Sequence, residues 1–247
     1  MIIAAIATEL MKLRRSLVLL VTLAAPLCVT AFAAIALATR HGPVRWERFL
    51  DEGLAMWSFF MLPMSVTALT TLLAQLEHGS RMWNHLLTLP CRRSTLFGAK
   101  AIVAAALTLV MQLFVYVGLY GVGFAVSAAM PARALSGDRQ FDDMAVGMIA
   151  MAVGALPMIL LQLWVALRWR SFVVPLVIGI LGTFFALVIT AAGINLYIPW
   201  LLQIYATMWP KPPGLIGVQA GAFGGMLTLF VMLWDLGRDS AADRYQR

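Results

Sequence analysis

Charge is what this chain has least of. No Asp, Glu, Lys or Arg occurs in residues 16–39, 53–76, 101–132, 144–167, 171–210 or 212–234. Of the 247 residues, 12% are charged and 62% hydrophobic, with a mean hydropathy of +0.89. A water-soluble domain of this size has no use for so much apolar surface, so the composition excludes the soluble classes. Each uncharged run reaches the roughly 20 residues that cross a bilayer core.

Other absences narrow the function. The two cysteines, Cys28 in an apolar run and Cys91 in a charged loop, make neither a disulfide framework nor a metal set. No Asp, Glu, Lys, Arg or His lies in the middle of any apolar run. The buried relays of ion-driven carriers are therefore missing, as are the ligands or paired aspartates of intramembrane proteases. A Gly-rich phosphate loop with its Lys is missing too, so the chain has no means of hydrolysing ATP alone. We expect no catalytic residue, no metal and no cofactor in this chain. Uphill transport would draw its energy from a partner. The sequence also has no Ser/Gly linker, no repeat of fixed period and no soluble domain.

What is present reads as an all-α integral membrane protein, one transmembrane domain over 1–247. Six spans are expected at about 16–38, 54–76, 96–129, 144–167, 172–193 and 215–236. The 171–210 run is too long for one helix, and its second part is interrupted by Pro199 and Pro210. That part reads as an external segment lying in the interface, with Tyr197, Trp200, Tyr205 and Trp209 as an aromatic belt. Residues 1–15 read as an amphipathic interfacial helix. Ile2, Ile6, Leu10 and Leu13 share one face; Thr8, Lys12 and Arg15, with Glu9 beside them, form the other. The competing reading is a signal peptide, since Ala31-Phe32-Ala33 is A-x-A-like. The uncharged run exceeds a usual signal core, which favours a retained span.

Basic residues set the orientation. With six spans, both termini share a side, and that side holds twelve Lys and Arg against five acids; the other holds six of each. The whole net charge of +7 therefore falls on one face, assigned to the cytoplasm. A pI near 10.0 reports topology and anionic lipid, with no nucleic-acid partner implied.

Within the spans the polar residues are mild. Thr67 and Thr71 in span 2, Gln112, Tyr116 and Tyr120 in span 3, and Gln162 in span 4 are candidates for a weakly polar substrate path. Gln112, Tyr116 and Tyr120 recur every four residues and share a helical face; interhelical hydrogen bonding is the plainer role. Gly217, Gly221 and Gly225 form a small-residue stripe for close helix packing, within the subunit or at a dimer seam.

The segment Glu77–Lys100, EHGSRMWNHLLTLPCRRSTLFGAK, concentrates unusual chemistry. Read as a helix, 77–89 puts Met82, Trp83, Leu86 and Leu87 on one face and His78, Arg81, His85 and Thr88 on the other. Pro90 stops it and Ser94 can cap the next helix. His78 and His85 lie on a solvated face without a third strong ligand, so a metal site is a poor reading.

Here the sequence resembles the permeases of ABC-2 type transporters. Glu77, Trp83, Leu86-Leu87, Leu89-Pro90, Arg93, Leu96-Phe97 and Ala99-Lys100 look like that family's loop between spans 2 and 3. Glu9-Leu10, Lys12 and Arg15-Ser16 resemble its opening. Leu161 to Trp164 with Arg168, Val177 to Gly179 and Ile198 to Trp200 are similar to the lantibiotic-immunity branch. The resemblance implies a type V exporter fold with an N-terminal connecting helix and a short cytoplasmic coupling helix in loop 77–93. It implies a separate ATPase in two copies, binding ATP and Mg, and a second permease as homodimer or related heterodimer. It carries ATPase contact onto Glu77, His78, Arg81 and His85, with Arg92 and Arg93 close by. An amphipathic cargo such as an antimicrobial peptide follows, with lipid or drug as other cargoes. From another class, a non-transporting membrane scaffold also needs no buried charge. A membrane enzyme lacks a catalytic set.

Overall fold

The computed structural model describes residues 2–14, 16–40, 42–78, 93–194 and 196–238. Among these residues the protein is helical, and strand pairing is confined to an isolated bridge between Arg45 and Ser136. The elements are α1 (Ile2–Leu13), α2 (Leu17–Thr39), α3 (Trp46–Met56), a π turn (Trp57–Met61) and α4 (Leu62–His78). They continue with α5 (Arg93–Ala129), α6 (Phe141–Arg168), α7 (Val173–Ala191), α8 (Pro199–Ala206) and α9 (Pro212–Arg238). Among the described residues, six helical stretches are long and apolar enough to cross a membrane.

The second of these runs without a break from Trp46, earlier than its uncharged stretch suggests. Its first turns are amphipathic, burying Trp46, Phe49, Leu50 and Gly53 while Glu47, Arg48 and Glu52 face outward into ion pairs. The π turn has a local cause. Pro63 cannot donate to the carbonyl four residues back, and its ring crowds that turn; widening the helix at 57–61 relieves the clash.

α5 is the longest helix at 37 residues, about 55 Å against a bilayer core of about 30 Å. It packs on α1, α2, α6 and α9. The end of the bundle that carries α1 also receives the end of α4, the start of α5, and the ends of α6 and α9. At the opposite end the 40–46 and 130–140 connections are sewn together. Trp46 N donates to Ser136 O at 2.9 Å, and Ser136 N to Val44 O at 3.0 Å. Trp46 there stacks on Tyr120, 5.8 Å between centroids, and Arg139 lies over Phe124.

The proline-rich stretch differs from its sequence reading. α8 is sunk between α6 and α9, with Leu201, Leu202, Gln203, Ile204 and Ala206 buried. Trp200 packs inward onto Gly182 rather than joining an outer belt, while Tyr197 and Trp209 stay exposed. The cause is space on the partner helices. Hypothetical Cβ atoms on Gly217 and Gly221 would lie 2.6 Å from the backbones of Ala206 in α8 and Gly154 in α6. One on Gly225 would lie 2.8 Å from the Leu156 side chain. The stripe 217–221–225 thus lets α9 touch α6 and α8 of the same chain.

Gly221→Leu should therefore force α6 and α9 apart, at about 1–3 kcal/mol or more. The purified protein should melt lower in detergent, whereas Gly237→Ala, whose added Cβ meets nothing within 4 Å, should melt as the parent does.

Candidate functional site

Physical chemistry draws attention first to a lysine with no room for water. Lys100 lies seven residues into α5, about 10 Å from the start of that helix, and is 1% exposed. A lone ammonium in such a place is strongly disfavoured. Its Nζ donates to Glu9 Oε2 of α1 at 2.7 Å, and Glu9 is 4% exposed. A longer contact, 3.5 Å, reaches the Leu73 carbonyl of α4. Lys12, one turn along α1, donates to the other oxygen, Glu9 Oε1, at 2.5 Å. Both carboxylate oxygens thus accept from an ammonium.

This cluster corrects the faces assigned to α1. Ile6, Glu9, Lys12 and Leu13 turn toward the protein, while Ile2, Ile3, Leu10 and Met11 stay exposed as an apolar strip. The polar side faces the protein because Lys100 waits there; the apolar side is left to lipid.

Burial pushes the Glu9 carboxyl up, but the charge and hydrogen bond of Lys100, helped by Lys12, hold it below the ordinary carboxylate value. A carboxyl lowered in the folded state adds stability above its unfolded value, about 4.3, and loses it as pH falls through the lower folded value. The docking of α1 should thus be constant at neutral pH and weaken only in acid.

The ion pair sits at the root of the segment singled out by sequence. α4 delivers the chain to that segment, α5 takes it away, and Lys100 contacts α1 and α4 from α5. Of the six residues expected to meet an ATPase, Arg81, His85 and Arg92 lie outside the described residues. Glu77, His78 and Arg93 are described as backbone only, at the ends of α4 and α5.

The substrate-path candidates fall into two groups. Thr67, Thr71 and Gln162 come together where α4, α6 and α7 meet. Gln162 Nε2 donates to Thr67 Oγ1 at 2.8 Å, and Thr71 Oγ1 to the Thr67 carbonyl at 2.6 Å. Gly179 of α7 closes over them, since an added Cβ would collide with both Gln162 and Thr67. Gln112, Tyr116 and Tyr120 stand apart on α5. The Tyr120 hydroxyl donates to Arg139 O at 2.8 Å and that of Tyr116 to Phe141 O at 3.3 Å, tying α5 to the start of α6. Gln162 Oε1 and Gln112 Nε2 are buried without a hydrogen-bond partner among the described residues.

A second tie was not foreseen. Trp164 Nε1 of α6 donates to Asp235 Oδ2 of α9 at 2.9 Å, with Arg168 Nε 3.8 Å from the same oxygen. It joins the ends of α6 and α9 at the α1-bearing end. The sequence signal was an acid three residues from the last basic residue of the span, Asp235 before Arg238.

Removing one partner of the buried pair, Glu9→Gln or Lys100→Met, should cost about 3 kcal/mol or more. The double variant should cost clearly less than the sum, because neither charge is stranded. Unfolding in mixed micelles with rising SDS reads both.

Residues 5–186, which run from α1 into α7, match the family described as ABC-2 family transporter protein. No curated protein and no solved structure matches. The matched region takes in Glu9, Lys100 and the whole of the α4–α5 connection. The chain is a multi-pass membrane permease that belongs to the ABC-2 family of transporter proteins.

Proposed function

We propose that this protein is the permease subunit of an ATP-driven exporter in a bacterial cytoplasmic membrane. Both termini and the α4–α5 connection then face the cytoplasm, as the one-sided charge requires. A separate ABC ATPase binds ATP and Mg and docks, in two copies, on loop 77–93. Glu77, His78, Arg81 and His85 make that contact, with Arg92 and Arg93 beside it. Two permeases, identical or related, complete a type V transporter.

The observation that carries this reading is the buried Glu9–Lys100 pair at the root of that loop in a chain of the ABC-2 family. A motor pressing on loop 77–93 needs a stiff attachment to the membrane helices. The pair supplies one by holding α1, α4 and α5 at a single point. The buried glutamines with amide atoms unpartnered among the described residues add support. A fully bonded polar core fixes one arrangement, while Gln162 and Gln112 keep a bonding group for a second. The faces carrying Thr67, Thr71 and Gln162, and Gln112, Tyr116 and Tyr120, then line the path as it changes access. An amphipathic cargo such as a lantibiotic suits walls this mild.

The test is co-purification with a co-expressed Walker-type ATPase, to be sought in the neighbouring reading frame. Arg81→Glu with His85→Glu should abolish the complex while the permease still folds. An intact complex removes the loop assignment. Stimulation of ATP hydrolysis by cargo in proteoliposomes separates an exporter from a scaffold, which would show none.

A further inference from the structure

A slot opens on the side of the bundle at the end away from α1. One wall is α2, whose Phe32, Ala33, Ala36 and Leu37 lie on a single helical face. The other is α3, presenting Phe49 and Met56. The cavity measures ≈ 80 Å³ and is open along one side. It is too small to seat a helix of about 10 Å diameter. Phe32 and Ile35 on the surrounding α2 surface are exposed and apolar, so the opening faces lipid.

The rim is ionic. Arg40 Nη1 and Nη2 hold the two oxygens of Glu52 at 2.8 and 2.9 Å, and Arg48 Nε donates to Glu52 Oε1 at 3.0 Å. Two guanidiniums share one carboxylate. Of the other charges on this turn, Arg45 pairs with Glu47, and Asp51 lies partly desolvated near Glu47 and Glu52, with Lys211 as the opposing charge. Each guanidinium has five N–H donors, so Arg40 keeps three and Arg48 four after serving Glu52. From Arg40 down to Phe32 is about 12 Å along α2.

A ligand that fits must have a narrow apolar tail and, at one end, an anionic group that accepts several hydrogen bonds. We propose that this slot binds one anionic phospholipid, its acyl chain between α2 and α3 and its phosphate on Arg40 and Arg48. The donors that Arg40 and Arg48 keep after serving Glu52 suit an acceptor headgroup rather than a cationic one, so the site is separate from the cargo path and does not depend on the transport reading. Glu52 competes with the phosphate for the same donors and sets the affinity.

Native mass spectrometry of the full-length protein, titrated with phosphatidylglycerol or phosphatidylethanolamine, tests this. One phosphatidylglycerol should bind more tightly than phosphatidylethanolamine. Glu52→Gln should tighten phosphatidylglycerol binding about fivefold, the worth of one charge at a membrane surface. Ala36→Trp, which fills the slot from an exposed position, should remove this binding step while the protein elutes and melts unchanged. Arg40→Gln with Arg48→Gln should abolish the headgroup preference. Equal phosphatidylglycerol binding by Glu52→Gln and the parent would overturn the proposal. So would a binding step that survives Ala36→Trp. Should Ala36→Trp fail to fold, Glu52→Gln decides alone, because it leaves the slot intact.

Discussion

A lysine at the edge of a hydrocarbon layer must either reach water or find an anion. Lys100 is sealed by its neighbours and takes the second course. Its anion comes from Glu9, ninety-one residues away in the chain, and the demand for that anion decides how α1 lies. The helix rolls its charged side inward and leaves Ile3 and Met11 outward. Lys12 closes the second carboxylate oxygen, so the buried acid is matched on both sides. The pair contributes less through attraction than through the cost of breaking it, because either charge alone would be stranded. The result is a firm three-helix junction beside the segment that joins α4 to α5.

Away from that junction the bundle is held by closeness rather than charge. Glycines at 154, 217 and 221 let α6, α8 and α9 approach backbone to backbone. In lipid, where apolar side chains gain little by leaving the solvent, such packing is a main source of cohesion. Polar groups inside this packing are few and only partly bonded: Gln162 serves Thr67 with its amide N–H while its carbonyl oxygen has no partner among the described residues. A stiff junction at one end and an under-bonded middle are physically what a permease needs if force enters at one end and access changes in the middle.

How much of this was legible in the sequence depends on the range of each interaction. The spanning helices were, because an uncharged run such as 144–167 carries its own signal. The glycine stripe was too, as a spacing, though the helices it meets were not. The Glu9–Lys100 pair was not: both residues stood in recognised motifs, yet Glu9 was placed on a solvated face and Lys100 in a basic loop. Nothing local distinguishes a charge that faces water from one that faces a partner ninety-one residues on. α8 was misread for a related reason. Trp and Tyr among prolines look the same at a membrane surface as inside a bundle, and it is glycines on neighbouring helices, Gly154, Gly182 and Gly217, that make room for burial. The start of α3 was hidden because its charges interrupt the apolar run while its buried face continues.

The central claim is that Glu9 and Lys100 touch, out of reach of solvent, in the membrane-embedded chain. Lysine is rare here: Lys12, Lys100 and Lys211 are the only three. Carbodiimide coupling in native membranes, followed by peptide mapping with parallel amine labelling, reads the contact directly. The account predicts zero-length links from Glu9 to Lys100 and Lys12, with Lys211 labelled freely and Lys100 protected. Free labelling of Lys100, with Glu9 coupling to an added amine in its place, would contradict it.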